Sequence, residues 1–580
     1  MLKRSQFLPL LTLSLCCTLL FGACNARNTP ESASSPTAGN GNTEVLKLLY
    51  WQAPTILNPH LSTGFKDSEA ARITLEPLAS FSADGKLVPF LAAEIPSIEN
   101  GGVAKDGRSV TWKLKKGVKW SDGTPFTARD VIATYKFITN PKTGSTSAGT
   151  YESVKNVEAI DDHTVKITFK EVNPAWSSVF VGTEGMILPA HLYEKYSDEK
   201  ARQAPANLSP AGTGPYKVIE FRPGDTVVYE ANPLFREADK LGFKRIELKG
   251  GGDATSAARA VLQTGEADYA YNLQVEAKVL DDLEKAGKGK LISGFGSLVE
   301  RILFNLSDPN KVAPDGERSS VQFPHPFLSD PKVREALTLA IDRDTIVTQL
   351  YGRTGKTTPN FLVLPEEYNS PNTRYEFNPE KASKLLEEAG WKDSNGDGTR
   401  DKNGVEMKLV FQTTVNPLRQ KTQEIIKQSF QSIGVGVELK TIDASIFFSS
   451  DPSNNDTVEK FYADLQMYTT GNNVPDPKDY LKTVTCNEIP KKSNQWSGNN
   501  YARFCDKNYD RLWQSSSKEL DPAKRRQQII EMNDILIKNF IVVPLAHRAD
   551  VAAISNNLQG FELTPWDRNT WNIKDWKRSK

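Results

Sequence analysis

Residues 106–131, reading DGRSVTWKLKKGVKWSDGTPFTARDV, leave the backbone little choice of local structure. Val110, Trp112 and Leu114 alternate with Thr111, Lys113 and Lys115, the period of a half-buried strand. Lys116-Gly117 predicts a turn, after which Val118 and Trp120 resume the alternation up to a tight turn at Asp122-Gly123. Thr127, with Asp130 three residues on, is a capping-box pattern, so a helix starts there and carries Val131, Ile132, Tyr135 and Phe137. At 580 residues the chain has material for about three or four cores of domain size.

Strand-like pieces recur at 45–51, 164–170, 214–221 and 226–229. Helical stretches dominate later: 331–350 after Ser329-Asp330, 379–389 before Gly390, 420–432 before Gly434, and 522–539. This interleaving predicts α/β domains rather than a block of strands followed by a block of helices. Gly212-Thr213-Gly214-Pro215-Tyr216 reads as a chain reversal using glycine's tolerance of positive φ, with Tyr216 and Val218 entering a strand. A phosphate-cradling loop would need G-x-x-x-x-G-K-[ST] leading into a helix, and this segment has neither.

The N-terminus sets the compartment. Lys3 and Arg4 precede an apolar run, 7–21, too short to span a bilayer comfortably, and Gly22-Ala23 precede Cys24. This is similar to a bacterial lipoprotein signal (1–23) in which Cys24 is acylated; an ordinary secretory signal is the alternative, and either exports the chain. Residues 24–43, rich in Ser, Thr, Pro, Gly, Ala and Asn, bury too little apolar surface to fold and read as a flexible tether. Of the remaining cysteines, Cys16 and Cys17 leave with the signal, so Cys486 and Cys505 form the one pair. An oxidising envelope would join them, worth roughly 3 kcal/mol by loop entropy; free thiols or a metal site are the rivals.

Composition excludes several functions. The 72 basic residues balance 71 acidic ones, against a nucleic-acid surface. The histidines His60, His163, His191, His325 and His547 are scattered, and neither H-E-x-x-H nor G-x-S-x-G occurs, so a secreted hydrolase is the least supported class. Asp393, Asn395, Asp397 and Asp401 have the oxygen spacing of an EF-hand loop with Gly398 at its sixth position. Gly404 stands where the bidentate Glu is needed, so a solvated turn explains the segment as well as calcium does.

Several phrases in order then carry a resemblance: Asn58-Pro59-His60-Leu61, Asp84-Gly85-Lys86-Leu87-Val88-Pro89 with Leu91-Ala92, and Ile187-Leu188-Pro189-Ala190-His191. The GTGPY turn, Phe304-Asn305, and Pro326-Phe327 through Asp330 and Val333-Arg334-Glu335-Ala336-Leu337 to Ala340-Ile341-Asp342-Arg343 follow. The chain resembles the extracytoplasmic solute-binding proteins of ABC importers, in the peptide/nickel class that includes dipeptide- and oligopeptide-binding proteins. The resemblance implies an α/β, periplasmic-binding-protein-like fold of two hinged lobes with a further domain inserted in the first. It divides the chain into a first lobe (44–78, 211–297 and 548–580), an insert (79–210) and a second lobe (298–547).

The function implied is capture of a peptide between the lobes and delivery to a membrane permease with its ATPase. It involves no enzyme activity, cofactor or nucleic acid, and implies a monomer held to the outer face of the membrane or in the periplasm by its lipid anchor. A nickel chelate, haem or oligosaccharide as solute, or a purely sensory role, keeps the same fold. Peptide binders of this kind hold the ligand's amine with an Asp in a W-x-G-D-like segment. The comparable piece here is Tyr468-Thr469-Thr470-Gly471-Asn472 with Asp476-Pro477 beyond. Asn472 stands in that position and can accept a hydrogen bond, but it cannot form a charge-assisted pair with an ammonium. Tyr468, Thr470, Gly471, Asn472 and Asp476 are therefore expected at the ligand. Asn58, Glu76, Trp496, Asn500, Tyr501 and Arg503 are expected beside it as stacking or hydrogen-bonding groups.

Overall fold

Two long strands, Gly289–Phe304 and Val542–Ser555, pair antiparallel and form the spine of an eleven-stranded sheet. The computed structural model describes residues 44–449 and 451–579; the signal, Cys24 and the tether lie outside them. Val542–Ser555 is buried along nearly its whole length, as a strand covered on both faces must be. At one end of the spine, Tyr269–Ala270 pairs with Ala553 and Ile554 and leads through Val45–Tyr50, Arg245–Gly250 and Thr226–Ala231 to Tyr216–Arg222. At the other end, Leu465–Thr470 pairs with residues 299–304 and leads to Lys408–Thr414 and Gly436–Ile442. Two half-sheets are thus joined by two continuous strands.

The apolar cores follow this division. One half-sheet packs on clusters containing Leu46, Tyr50, Tyr216 and Trp576, and Ala258, Leu262 and Ala549. The other packs on clusters containing Phe304, Leu337, Phe411 and Phe430, and Tyr468, Tyr509 and Met532. A separate core gathers Trp112, Trp120, Val131, Phe137, Ile167 and Tyr193 around a three-stranded antiparallel sheet. Cys486 and Cys505 are joined as a disulfide.

Local expectations mostly stand. Ser109–Lys113 is a strand with Val110 and Trp112 fully buried, and Thr127 and Asp130 close a capping box at the start of helix Ala128–Thr139. Residues 118–120 form no strand, only an isolated bridge from Lys119 to Pro125, because no neighbouring strand offers a ladder there. The helix predicted over 331–350 breaks: Pro331–Leu339 ends, and Asp342 caps a new helix by accepting from Thr345 N (3.0 Å). The GTGPY turn needs its glycines for room instead of positive φ. A Cβ on Gly212 would lie 2.0 Å from Thr74 O, and one on Gly214 2.7 Å from it.

Candidate functional site

Midway along the spine the pairing slips between Phe295 and Val299, and the extra residues bulge out of the ladder. Ser297, in the bulge, donates its Oγ to Asn472 O at 2.7 Å. The chain passes so close here that a Cβ on Gly471 would sit 2.2 Å from Ser297 O, so only glycine fits. Residues 471–474, positioned by this contact, line a partly open cavity of about 300 Å³. Its walls come from segments far apart in sequence, among them Thr63–Lys66, Ser147, Glu184, Asn272, Tyr468, Asp479 and Arg548. A second, wider cavity of about 1110 Å³ shares Thr63, Thr146, Gly149, Lys482, Glu488 and Asn499 with it.

Several polar contacts join residues 63–173 to residues 448–518. Thr63 Oγ1 donates to Phe448 O (2.9 Å), and Lys478 Nζ to Asn173 Oδ1 (3.2 Å). Lys482 pairs with Glu152 as well as with Glu488 (3.1 Å), and Lys518 pairs with Glu171. The aromatic wall is fixed from behind by Arg301, which lies 5.1 Å from the Tyr468 ring centroid and 4.8 Å from that of Phe361, and donates to Tyr480. Tyr501 packs against Tyr468 with ring centroids 6.1 Å apart.

Of the residues expected at a ligand, Tyr468, Thr470, Gly471, Asn472, Asp476 and Tyr501 line the cavity. Asn472 donates Nδ2 to Val474 O (3.0 Å), while its buried Oδ1 has no partner among the described residues. Asp476 is already engaged by Arg525 (2.8 Å) and by Lys478 N (3.0 Å). The other five lie elsewhere, each for a local reason. Asn58 is fully buried, accepting from His60 N and donating to Asn207 Oδ1. Glu76 makes a two-pronged ion pair with Arg236 at 2.7 and 2.8 Å. Asn500 donates to the carbonyls of Val484, Thr485 and Phe504. Arg503 donates to four carbonyls, those of Ser319, Tyr501, Glu459 and Lys460, and burial pulls its guanidinium down to about 10. Trp496 lines the wider cavity, with Lys460 Nζ 4.4 Å from its ring centroid.

The segment with EF-hand spacing turns its oxygens on itself. Asp393 accepts from Gly396 N and Gly398 N, Asp397 from Thr399 N, and Asp401 from Ser394 N and Oγ. Among the described residues no group of three or more His, Cys, Asp or Glu side chains gathers as a metal site.

Charged groups at the cavity went unnoticed in the sequence. Asp479, in the first turn of helix Lys478–Lys482, and Glu184, in the turn Thr183–Gly185, both line it although they are remote in sequence. Desolvation pushes both carboxyls up; for Glu184 the nearby charge of Asp479 adds to this, and for Asp479 Lys478 and Lys482 oppose it. Arg419, Arg548 and Arg568 line it as well. DPKDY carried a faint signal, since Pro477 opens a helix and places Asp479 in its first turn. Nothing in the neighbourhood of Glu184 or Arg548 marks them, because their surroundings come from remote segments.

Residues 86–490 match the family described as bacterial extracellular solute-binding proteins, family 5 (middle region). The chain belongs to that family. Oligopeptide-binding protein AppA of Bacillus subtilis is 26% identical over 604 residues, covering 100% of both chains. The structure of AppA in complex with a nonapeptide superposes with a TM-score of 0.78 at 24% identity, covering 92% of this chain and 100% of that one. NikZ of Campylobacter jejuni, in complex with Ni(L-His), gives 0.77 at 25% identity, with coverage of 92% and 100%. The mixed α/β, multi-domain architecture is thus that of the family 5 solute-binding proteins. Among the described residues no helix is long and apolar enough to cross a membrane.

Proposed function

We propose that this chain is the substrate-binding component of an ABC import system, capturing peptides in the cavity between its lobes and passing them to a membrane permease. The observation that carries this reading is the cavity beside the spine's bulge, whose walls combine Tyr468 and Tyr501 with unsatisfied polar atoms and carboxylates. Peptides present that mixture of backbone donors and acceptors, charge and apolar side chains. The similarity to AppA, whose structure holds a nonapeptide, supports it, as does the wider cavity beside the first, which gives a longer ligand room to continue.

Capture then follows from differential contact. A solute touching both walls favours the closed arrangement that the Thr63–Phe448 and Lys478–Asn173 contacts already hold. Asp479 and Glu184 take over the cation recognition that Asn472 lacks, and Asn472 Oδ1 accepts from a neutral N–H. The reading includes the division into lobes 44–78 with 211–297 and 548–580, insert 79–210 and second lobe 298–547, which the separate cores support. It also includes acylation of Cys24 with 24–43 as the tether, which raises the local concentration at the permease, and a monomeric binder without catalytic activity. Native mass spectrometry of the protein as purified tests it: a ladder of peptide masses, one per chain, is expected, and a single non-peptide cargo overturns the peptide assignment.

A further inference from the structure

Three arginines line the cavity, and their surroundings differ. Arg419 is fully met: Nε and Nη2 reach Glu300 at 2.9 and 3.3 Å, and Nη1 reaches Thr414 Oγ1 at 2.7 Å. Arg568 donates Nε to Ser68 Oγ (2.7 Å) and lies 3.8 Å from the Phe65 ring centroid. Arg548 is only 5% exposed, yet its side chain makes a single hydrogen bond among the described residues, from Nη2 to Asn272 Oδ1 at 2.7 Å. Its Nε and Nη1 have no acceptor among the described residues.

Neighbouring carboxylates do not fill this gap. Glu300 attracts Arg548 from a distance but is held by Arg419 and Thr469, and Asp550 makes no ion pair with it among the described residues. Asn272 holds the guanidinium in place. Its backbone is left-handed (φ 49°), its carbonyl accepts from Trp51 Nε1 at 2.8 Å, and its Oδ1 also accepts from Gln274 Nε2 at 3.3 Å. That last bond leaves Gln274 Oε1, also buried, without a donor. A cationic fork and an amide oxygen, both desolvated and both incomplete, therefore face one space. Leaving such groups unmatched is costly, and an oxyanion relieves the cost with charge-assisted bonds.

We propose that Arg548 is an oxyanion subsite of the cavity, its Nε and Nη1 N–H groups taking a carboxylate of the bound solute while Gln274 Oε1 accepts an N–H beside it. This rests on the reading of the cavity as the solute site. The ligand chemistry that fits is an amide N–H next to a carboxylate, as at the carboxyl end of a peptide or in an N-acyl amino acid. Asn272 is a positioning residue, since it orients Arg548 and presents no free oxygen of its own.

The test uses calorimetric titration of the whole protein with a co-purifying peptide in two forms, the free acid and its carboxamide. Wild type should prefer the acid by roughly 10- to 100-fold. Arg548→Gln should remove the preference by weakening the acid form alone, and Arg548→Lys should restore part of it. Equal affinities in wild type, a measurement that needs no variant, would overturn the subsite, as would a preference that survives Arg548→Gln. If the cargo is not a peptide, the peptide reading fails but the subsite is still decided. A cargo with an acidic group that Arg548→Gln no longer retains supports it, and a neutral or cationic cargo overturns it.

Discussion

The region around Trp112 and the cavity floor from Tyr468 to Tyr480 both bury aromatic side chains, by different means. Around Trp112 the backbone is regular: Val110 pairs with Ile167 and Trp112 with Val165, the Thr127–Asp130 box closes the next helix, and Trp112 leans on Trp176 at 6.1 Å. At the floor the regular ladder stops at Thr470, and the chain is pressed against the Ser297 bulge. It then presents Asn472 Oδ1, which has no partner among the described residues. The first region holds its shape through neighbours in sequence and sheet. The second is placed by contacts with remote segments.

The sharpest way to break this contrast is to remove the buried indole. Trp112→Ala should cost about 3–5 kcal/mol of unfolding free energy, measured by denaturant titration, while solute affinity of the folded protein stays unchanged. A matching loss of affinity would make the two regions one unit. Gly471→Ala should act the other way. Its Cβ collides with Ser297, so the floor must move, and solute affinity should fall while stability drops by roughly 1–3 kcal/mol. Asp479→Asn is smaller still: affinity for an amine-bearing peptide should fall on the order of tenfold in calorimetry, with no effect on an N-acetylated one.

How legible each region was follows the same divide. Thr127, Asp130 and the prolines opening helices at 331, 379 and 522 act within a few residues, so their spacing sufficed. Gly212 and Gly214 stood out for the right residue type and the wrong reason, because the demand comes from Thr74, more than a hundred positions earlier. Asn58, Glu76, Asn500 and Arg503 looked available because their partners were invisible; Glu76 is met by Arg236, 160 residues on. Glu184, Asp479 and Arg548 were missed for the converse reason, since cavity walls assembled from distant segments leave no local pattern.

Protonation offers a finer comparison. His60, on the scaffold side, is held by Met186 O (2.8 Å) and Ser147 Oγ (3.0 Å), and burial lowers it to about 4. An unfolded His binds its proton near 6.5, so this contribution to stability is present above that pH and is lost as pH falls toward 4. Glu459, lining the wider cavity, is raised by burial to about 7. Its contribution is complete below the usual carboxylate range, near 4.5, and is lost as pH rises toward 7. Urea unfolding across pH 4–8 should therefore show His60→Gln and Glu459→Gln removing opposite slopes; slopes unchanged in both variants would contradict the assignment.

Hydrogen exchange on the full chain, with and without the peptides that co-purify with it, tests the central claim most directly. Added solute should slow exchange at 183–184, 297–298 and 468–480, and leave 109–139 as it was. Protection spread over 109–139, or none at 468–480, would show that this cavity is not where the solute binds.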